Sequence, residues 1–346
     1  MERRLCTALA VASALIASAL LVASVSAADA DLIAAAKKEG ELNWYTTQII
    51  PQFARPAADA FQKKYGIRVN VVRGDSVEIA VRLTNEAKAN RMVADLYDGT
   101  GTTTVLKKEG VALKWLPDAA KRWPQELWDS EGYWIATNLF VHTPAFNTNL
   151  VPKGTEPKTF QDLLDPKWKG KMAWALHGTS SGAAGFIGLV LAEMGEEKGK
   201  AYLRELAKQN ITRLGGSARS VTDQAIVGEY AVVLQIFNHQ PVISAKRGAP
   251  IDWIPMNPAM AILSVAGVTV GAPHPNAGKL MLDFLTSDEG QRLFRDSDYI
   301  PAAPDVPPRD LTMRPDGKTF RGIFFTPERV DAGMQHWMKT FDEIFR

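Results

Sequence analysis

Three features of the sequence predict an α/β protein of two lobes, each a mainly parallel sheet flanked by helices, with a cleft between them. Strand and helix signals alternate from residue 41 to 99 and again from 171 to 236. The chain of 346 residues is long enough for two separate cores. Two proline-containing stretches, "HTPAFNTNLVPKGTEP" (142–157) and "PMNPAM" (255–260), offer crossings between the lobes. Residues 28–142 plus 259–304 are therefore expected to form the N-terminal lobe, and 143–258 plus 305–346 the C-terminal lobe.

The first segment precedes any fold. Arg3 and Arg4 stand before an uncharged run from Leu5 to Ala28, and Val25-Ser26-Ala27 supplies small residues for a signal peptidase. This pattern predicts a cleaved signal peptide over residues 1–27 and export out of the cytoplasm, which the resemblance named below narrows to the periplasm. Cys6, the only cysteine, lies inside it, so the mature chain would have no disulfide and no cysteine metal site. No later stretch is apolar for long enough to span a bilayer.

"ELNWY" (41–45) reads as the first strand, and "PQFARPAADAFQKKYG" (51–66) as a helix with Phe53, Ala57, Ala60 and Phe61 on one face. "IRVNVVR" (67–73) is the second strand. Asp75 or Ser76 caps the next helix, in which Val77, Ala80, Val81 and Thr84 recur at helical spacing. "VADLYDG" (93–99) supplies a third strand. In the second half, "KMAWAL" leads to a helix expected from Ser181 to Met194, "ITRL" leads to one ending at Val227, and "YAVVLQI" is a buried strand.

Each predicted parallel strand finishes in small or polar residues, and ligands of open α/β sheets sit beyond the carboxyl ends of strands. The candidates are Thr46 and Thr47, Arg73 and Ser76, Gly99 and Thr100, then Thr179, Ser180 and Ser181, Arg219 and Ser220, and finally Phe237, Asn238 and His239. Loops and helix caps favour the same residue types for local reasons. Tyr45, Tyr97 and Phe237 could pack on the body of a ligand.

Gly178-Thr179-Ser180-Ser181-Gly182 also fits the G-x-S-x-G pattern of a serine hydrolase. His239, His274 and His336 follow it, yet no acid stands in a motif that would orient a base. The same residues can open a helix whose free N–H groups hold an anion. Binding without catalysis is the expectation, with no catalytic residue. The 40 basic and 38 acidic side chains nearly balance, which gives no electrostatic case for nucleic acid or a membrane surface.

"DLLDPKWKGKMAW" (162–174), "VGEYAVVLQ" (227–235) and "AGVTVGAPHPNAGKLMLDFLTSDEGQRLF" (266–294) carry a resemblance, joined by "KKEGELNWYTT" and "AFQKKYGIRVNVV" near the start. Over nearly all of the mature chain the sequence resembles the periplasmic substrate-binding proteins of ABC importers. The branch is the one with ferric-binding, thiamine-binding and phosphonate- or sugar-phosphate-binding members. The resemblance implies the two-lobed periplasmic-binding-protein fold, closure on a small-molecule ligand about a hinge near Thr143 and Pro258, and delivery to an ABC permease in the inner membrane. It implies a monomer with no cofactor. In ferric-binding members two adjacent tyrosines stand at positions matching Asn238 and His239, a histidine near Ile49 and a glutamate near Thr100. None of these four residues is the hard anionic donor that ferric iron prefers, so no metal ligand is expected. Helix starts with serine and threonine hydroxyls, plus Arg73 and Arg219, favour a small anion: a carboxylate, phosphate ester or phosphonate. An iron(III) or metal-chelate binder on the same fold is the alternative, and a secreted serine hydrolase a further one.

Overall fold

The computed structural model describes residues 27–176 and 180–345, with side chains from residue 30. All of the expected leader but Ala27, and Thr179, lie outside the described residues. The first half runs α1 (Ala27–Glu39), β1 (Glu41–Thr46), a π-helical turn (Ile50–Ala54), α2 (Arg55–Tyr65), β2 (Arg68–Arg73), α3 (Ser76–Lys88), β3 (Leu96–Gly99), α4 (Thr102–Lys108) and β4 (Ile135–Asn147). Next come β5 (Met172–Ala175), α5 (Ala183–Met194), α6 (Glu196–Ala207), β6 (Thr212–Leu214), α7 (Ala218–Ile226), β7 (Val232–Phe237), α8 (His239–Ala245) and β8 (Ile251–Trp253). The chain closes with β9 (Ala259–Val268), α9 (Pro275–Thr286), α10 (Asp288–Asp296), β10 (Ile300–Pro301), β11 (Gly322–Phe325) and α11 (Pro327–Phe345).

The strands form one sheet in the order β2-β1-β3-β9-β4-β7-β5-β6. β1 is parallel to β2 and β3 at one end, and β5 is parallel to β6 and β7 at the other. Between these parallel trios run β9 and β4, antiparallel to each other and to their outer neighbours. Both are buried along their whole length, which explains the nearly continuous apolar sequence of β9, while β4 also buries Thr137, Asn138, His142, Thr143 and Asn147. The parallel trios are the predicted α/β units. The antiparallel pair is what joins them.

Residues 142–147, expected in a loop crossing, are instead the second half of β4. Pro144 is tolerated there because the register against β7 breaks between Thr143 and Ala145, where no ladder donor is needed. The pairing of β4 with β9 ends at His142 and Met260, so the two segments named as crossings do run side by side.

α3 also differs in detail. Asp75 is its cap: Oδ1 accepts from the N–H of Val77 and of Glu78, both at 2.9 Å, and Glu78 Oε2 accepts from the Asp75 N–H at 2.9 Å. Its buried stripe is Ile79, Ala80 and Leu83, whereas Val77 and Val81 are 62% and 56% exposed. Both stripes satisfy the helical period, and the one with Ile and Leu removes more apolar area from water. α5 begins at Ala183 with Gly182 as cap and no side-chain cap bond, so Ser180 and Ser181 do not cap it. Gly182 has φ +123°, and a Cβ there would lie 2.5 Å from the Ala175 carbonyl oxygen, which reserves the position for glycine.

One core gathers Trp44, Phe53, Phe61, Phe284 and Phe294 beneath α2, α9 and α10. A second gathers Phe146, Trp174, Phe186, Trp337 and Phe341 beneath α5 and α11. Val306, Met313 and Phe320, in the segment expected with the C-terminal lobe, pack into the first core. Tyr45 and Tyr97, considered above as ligand contacts, are fully buried with Ile79 and Leu83, and the Tyr45 hydroxyl donates to Glu86 at 2.7 Å.

Phe53 stacks on Phe294 at 3.8 Å between centroids and meets Trp44 and Tyr299 edge-on. Replacing it with alanine is expected to lower stability by about 3–5 kcal/mol, measured by urea denaturation. A loss under about 1 kcal/mol would contradict this packing.

Candidate ligand cleft

The carboxyl ends of β1, β2 and β7 open onto a cleft of about 1370 Å³. Thr47, Arg73, Ser76, Thr100, Ser180, Ser181, Arg219, Phe237 and His239 line it. Thr46, Gly99, Ser220 and Asn238 do not, and each has another role. Thr46 is fully buried, with its Oγ1 accepting from the Gln48 N–H at 3.0 Å. Gly99 lets β3 approach α3, since a Cβ there would meet Ser76 Oγ at 2.9 Å. The Ser220 hydroxyl donates to the Ser217 carbonyl at 2.7 Å. Asn238 is 1% exposed and donates its N–H to the Val141 carbonyl at 2.9 Å.

On one wall, Thr47 is a strut. Its N–H and hydroxyl both donate to Asp98 Oδ1 at 2.8 Å, and Trp44 Nε1 donates to Oδ2 at 2.9 Å. Burial pushes the Asp98 pKa up, against the pull of these hydrogen bonds. Above Thr47, Ser76 Oγ accepts from the Thr100 N–H at 3.3 Å, tying the start of α3 to the end of β3.

On the other wall, the Ser180 carbonyl accepts from His142 Nδ1 at 3.0 Å and from Gln235 Nε2 at 3.3 Å. A carbonyl can only accept, so His142 carries its proton on Nδ1. Gln235 has φ +55°, a left-handed conformation inside a strand. It stands where β7 bulges against Pro144, because Thr143 and Ala145 pair with Ile236 and Val233. The bulge aims the amide at the Ser180 carbonyl. These contacts fix Ser180 by its backbone, and the Ser180 carbonyl, not its hydroxyl, meets the histidine. That is no nucleophile–base pair.

The two arginines differ. The Arg219 fork is occupied: Nη2 and Nε reach Asp223 at 2.6 and 3.3 Å, and Nη1 donates to Ser244 Oγ at 2.9 Å. Arg73, exposed at the end of β2, has no side-chain hydrogen bond or ion pair among the described residues.

The floor is aromatic. Phe140 packs on Phe237, His239 and Tyr299 at 5.1, 5.2 and 5.8 Å between centroids. Phe140 and Tyr299 were not among the sequence candidates. Tyr299 reaches the floor because β10 pairs with β4, a long-range pairing with no local signal. Burial lowers the pKa of His142 to about 3 and that of His239 to about 3, the latter with help from the charges of His142 and Arg219. Both imidazoles are neutral at pH 7. Among the described residues no cluster of three His, Cys, Asp or Glu could hold a metal ion.

The family described as bacterial extracellular solute-binding protein matches residues 56–318. A Salmonella paratyphi A protein named "Putative 2-aminoethylphosphonate-binding periplasmic protein" is 25% identical over 316 residues, covering 88% of this chain and 85% of its own. A Serratia marcescens "Fe(3+)-binding periplasmic protein" is 25% identical over 251 residues, covering 68% and 71%. A Trichodesmium protein solved in complex with iron and citrate superposes with a TM-score of 0.72 at 19% identity, over 88% of this chain and 99% of that one.

Two outcomes follow from this geometry. Each buried imidazole binds a proton near the ordinary value of about 6.5 when unfolded but only near 3 when folded, so stability is full above about pH 6.5 and falls as pH drops toward 3. At pH 5 the loss should be about 1–2 kcal/mol per histidine, and His142→Gln should reduce it in urea titrations at pH 7 and 5. An equal loss in the variant would contradict the assignment. Gln235→Gly should relieve about 1 kcal/mol of backbone strain while releasing the Ser180 carbonyl. Faster amide exchange over residues 180–186 with little change in global stability is expected. Unchanged exchange would show that Gln235 does not hold the loop.

Proposed function

The chain belongs to the bacterial extracellular solute-binding protein family, and from that membership we propose that it captures a small anionic solute in the periplasm and hands it to an ABC permease. It binds without catalysis, as the family does. The solute class is a carboxylate, phosphate ester or phosphonate. The observation that carries this reading is Arg73: a guanidinium fork at the carboxyl end of a strand, lining the cleft and unpaired among the described residues. A planar fork without an internal partner suits bidentate recognition of an oxyanion. The phosphonate named for the Salmonella relative is consistent with it. A cleaved leader over residues 1–27, a monomeric state and closure of the lobes about Thr143 and Pro258 complete the proposal. Closure there is supported by the end of β4–β9 pairing at His142 and Met260.

Iron(III) is the second reading, favoured by the name of the Serratia relative. Against it stand Asn238 and His239, at the positions that the resemblance matches to the paired tyrosines of ferric-binding members. Tyr299 lines the cleft, but burial pushes its phenol pKa up and so disfavours the phenolate.

Thermal-shift titration against carboxylates, phosphate esters and phosphonates tests the proposal. A true ligand at a thousand times its dissociation constant adds about 4 kcal/mol of stability. Arg73→Ala should weaken binding of that ligand by about 1.5–3 kcal/mol. Arg219→Ala should cost less, because its fork is already held by Asp223. Equal losses, or no loss at Arg73, would contradict the assignment. Ferric citrate should produce no visible phenolate-to-iron band; such a band would favour the second reading.

A further inference from the structure

We propose that the solute carries two separated anionic groups, one held by Arg73 and the other by Arg247, with its body over the aromatic floor. This deepens the anion reading above and rests on it. Four carboxylates line the cleft, and each is already engaged. Asp75 accepts from the first N–H groups of α3, and Asp223 pairs with Arg219 at 2.6 Å. Asp296 accepts from Arg295 at 2.9 Å, and Asp298 pairs with Lys246 at 2.6 Å. The cations of the lining divide differently. Arg219 and Lys246 are spent on those carboxylates. Arg73 and Arg247 have no side-chain hydrogen bond or ion pair among the described residues.

The two free forks come from separate parts of the sheet, one at its edge and one beside central β4, with β1, β3 and β9 between. Arg73 closes β2, the outermost strand of the first trio. Arg247 follows α8, which packs beside β7 and β8, and its N–H donates to the Ser244 carbonyl at 3.0 Å. Between the walls lie Phe140, Phe237 and Tyr299, which offer apolar ring surface and no charge. Unpaired guanidinium groups from two separate elements lining one cleft call for negative charge at two places on what fills it. A single small oxyanion would satisfy one fork and leave the second unmatched. Dicarboxylates and phosphonocarboxylates have the required chemistry.

The test is calorimetric titration of the full-length mature protein with phosphonoacetate and succinate as two-ended probes, and methylphosphonate and acetate as one-ended ones. A two-ended probe should bind at least about tenfold more tightly than its one-ended counterpart. Arg247→Ala should abolish that advantage by bringing phosphonoacetate down to the affinity of methylphosphonate, while Arg247→Lys restores only part of it because the fork is lost. An unchanged melting midpoint of the unliganded Arg247→Ala variant verifies its fold. Methylphosphonate binding as tightly as phosphonoacetate, or full affinity for phosphonoacetate in Arg247→Ala, would overturn the two-anion inference and leave the anion reading standing. If none of the four anions binds, both fall.

Discussion

The pairing of β4 with β9 is the constraint on which the rest depends. It runs from Ile135 and Ala266 to His142 and Met260 through the middle of the sheet, with both strands buried throughout. A parallel trio hangs from each outer side, so the position of every strand end at the cleft follows from this one ladder. The face of β4 that carries Phe140 and His142 also supplies the floor and the anchor for Ser180. Where β4 leaves β9, the chain has Pro144 and a register break, and β7 answers with the left-handed Gln235. Backbone irregularity and loop anchoring thus coincide at the joint between the two trios. Strain persists where surrounding structure over-determines it, and here two hydrogen bonds to one carbonyl do so.

The electrostatics of the cleft follow from burial as much as from charge. Burial holds His142 and His239 neutral, so neither imidazole adds a positive charge at the cleft. Asp98 is enclosed by Thr47 and Trp44, which turns it into a fastening for the first strand and keeps its charge off the solute. Most remaining cleft charges pair among themselves. On the proposed anion reading, selectivity would lie in the few groups left over, of which a guanidinium fork without a partner is the strongest.

Much of this was legible in the sequence. The strand–helix–strand units at both ends of the sheet follow from short-range periodicity, and the cap of α3 was narrowed to Asp75 or Ser76, of which the structure selects Asp75. The candidates at strand ends were found by the rule for open sheets, and most of them face the cleft. What escaped depends on contacts distant in sequence. The second half of β4 looked like a loop because Pro144 and the asparagines carry local turn chemistry, which burial between β7, β8 and β9 overrides. The buried stripe of α3 was misplaced because two apolar stripes share one period. Tyr299 and Phe140 meet only through the pairing of β10 with β4. The difference between Arg73 and Arg219 was partly readable: Asp223 stands four residues after Arg219, the spacing of a helical ion pair, whereas nothing acidic stands so placed for Arg73 within its strand.

Native mass spectrometry of the protein released from a periplasm, before any dialysis, tests the central claim most directly. Capture of an organic anion predicts retained extra mass equal to a small carboxylate, phosphate ester or phosphonate, and its loss from the Arg73→Ala protein. Extra mass equal to iron, with or without a chelator, or an adduct that survives in Arg73→Ala, would contradict it.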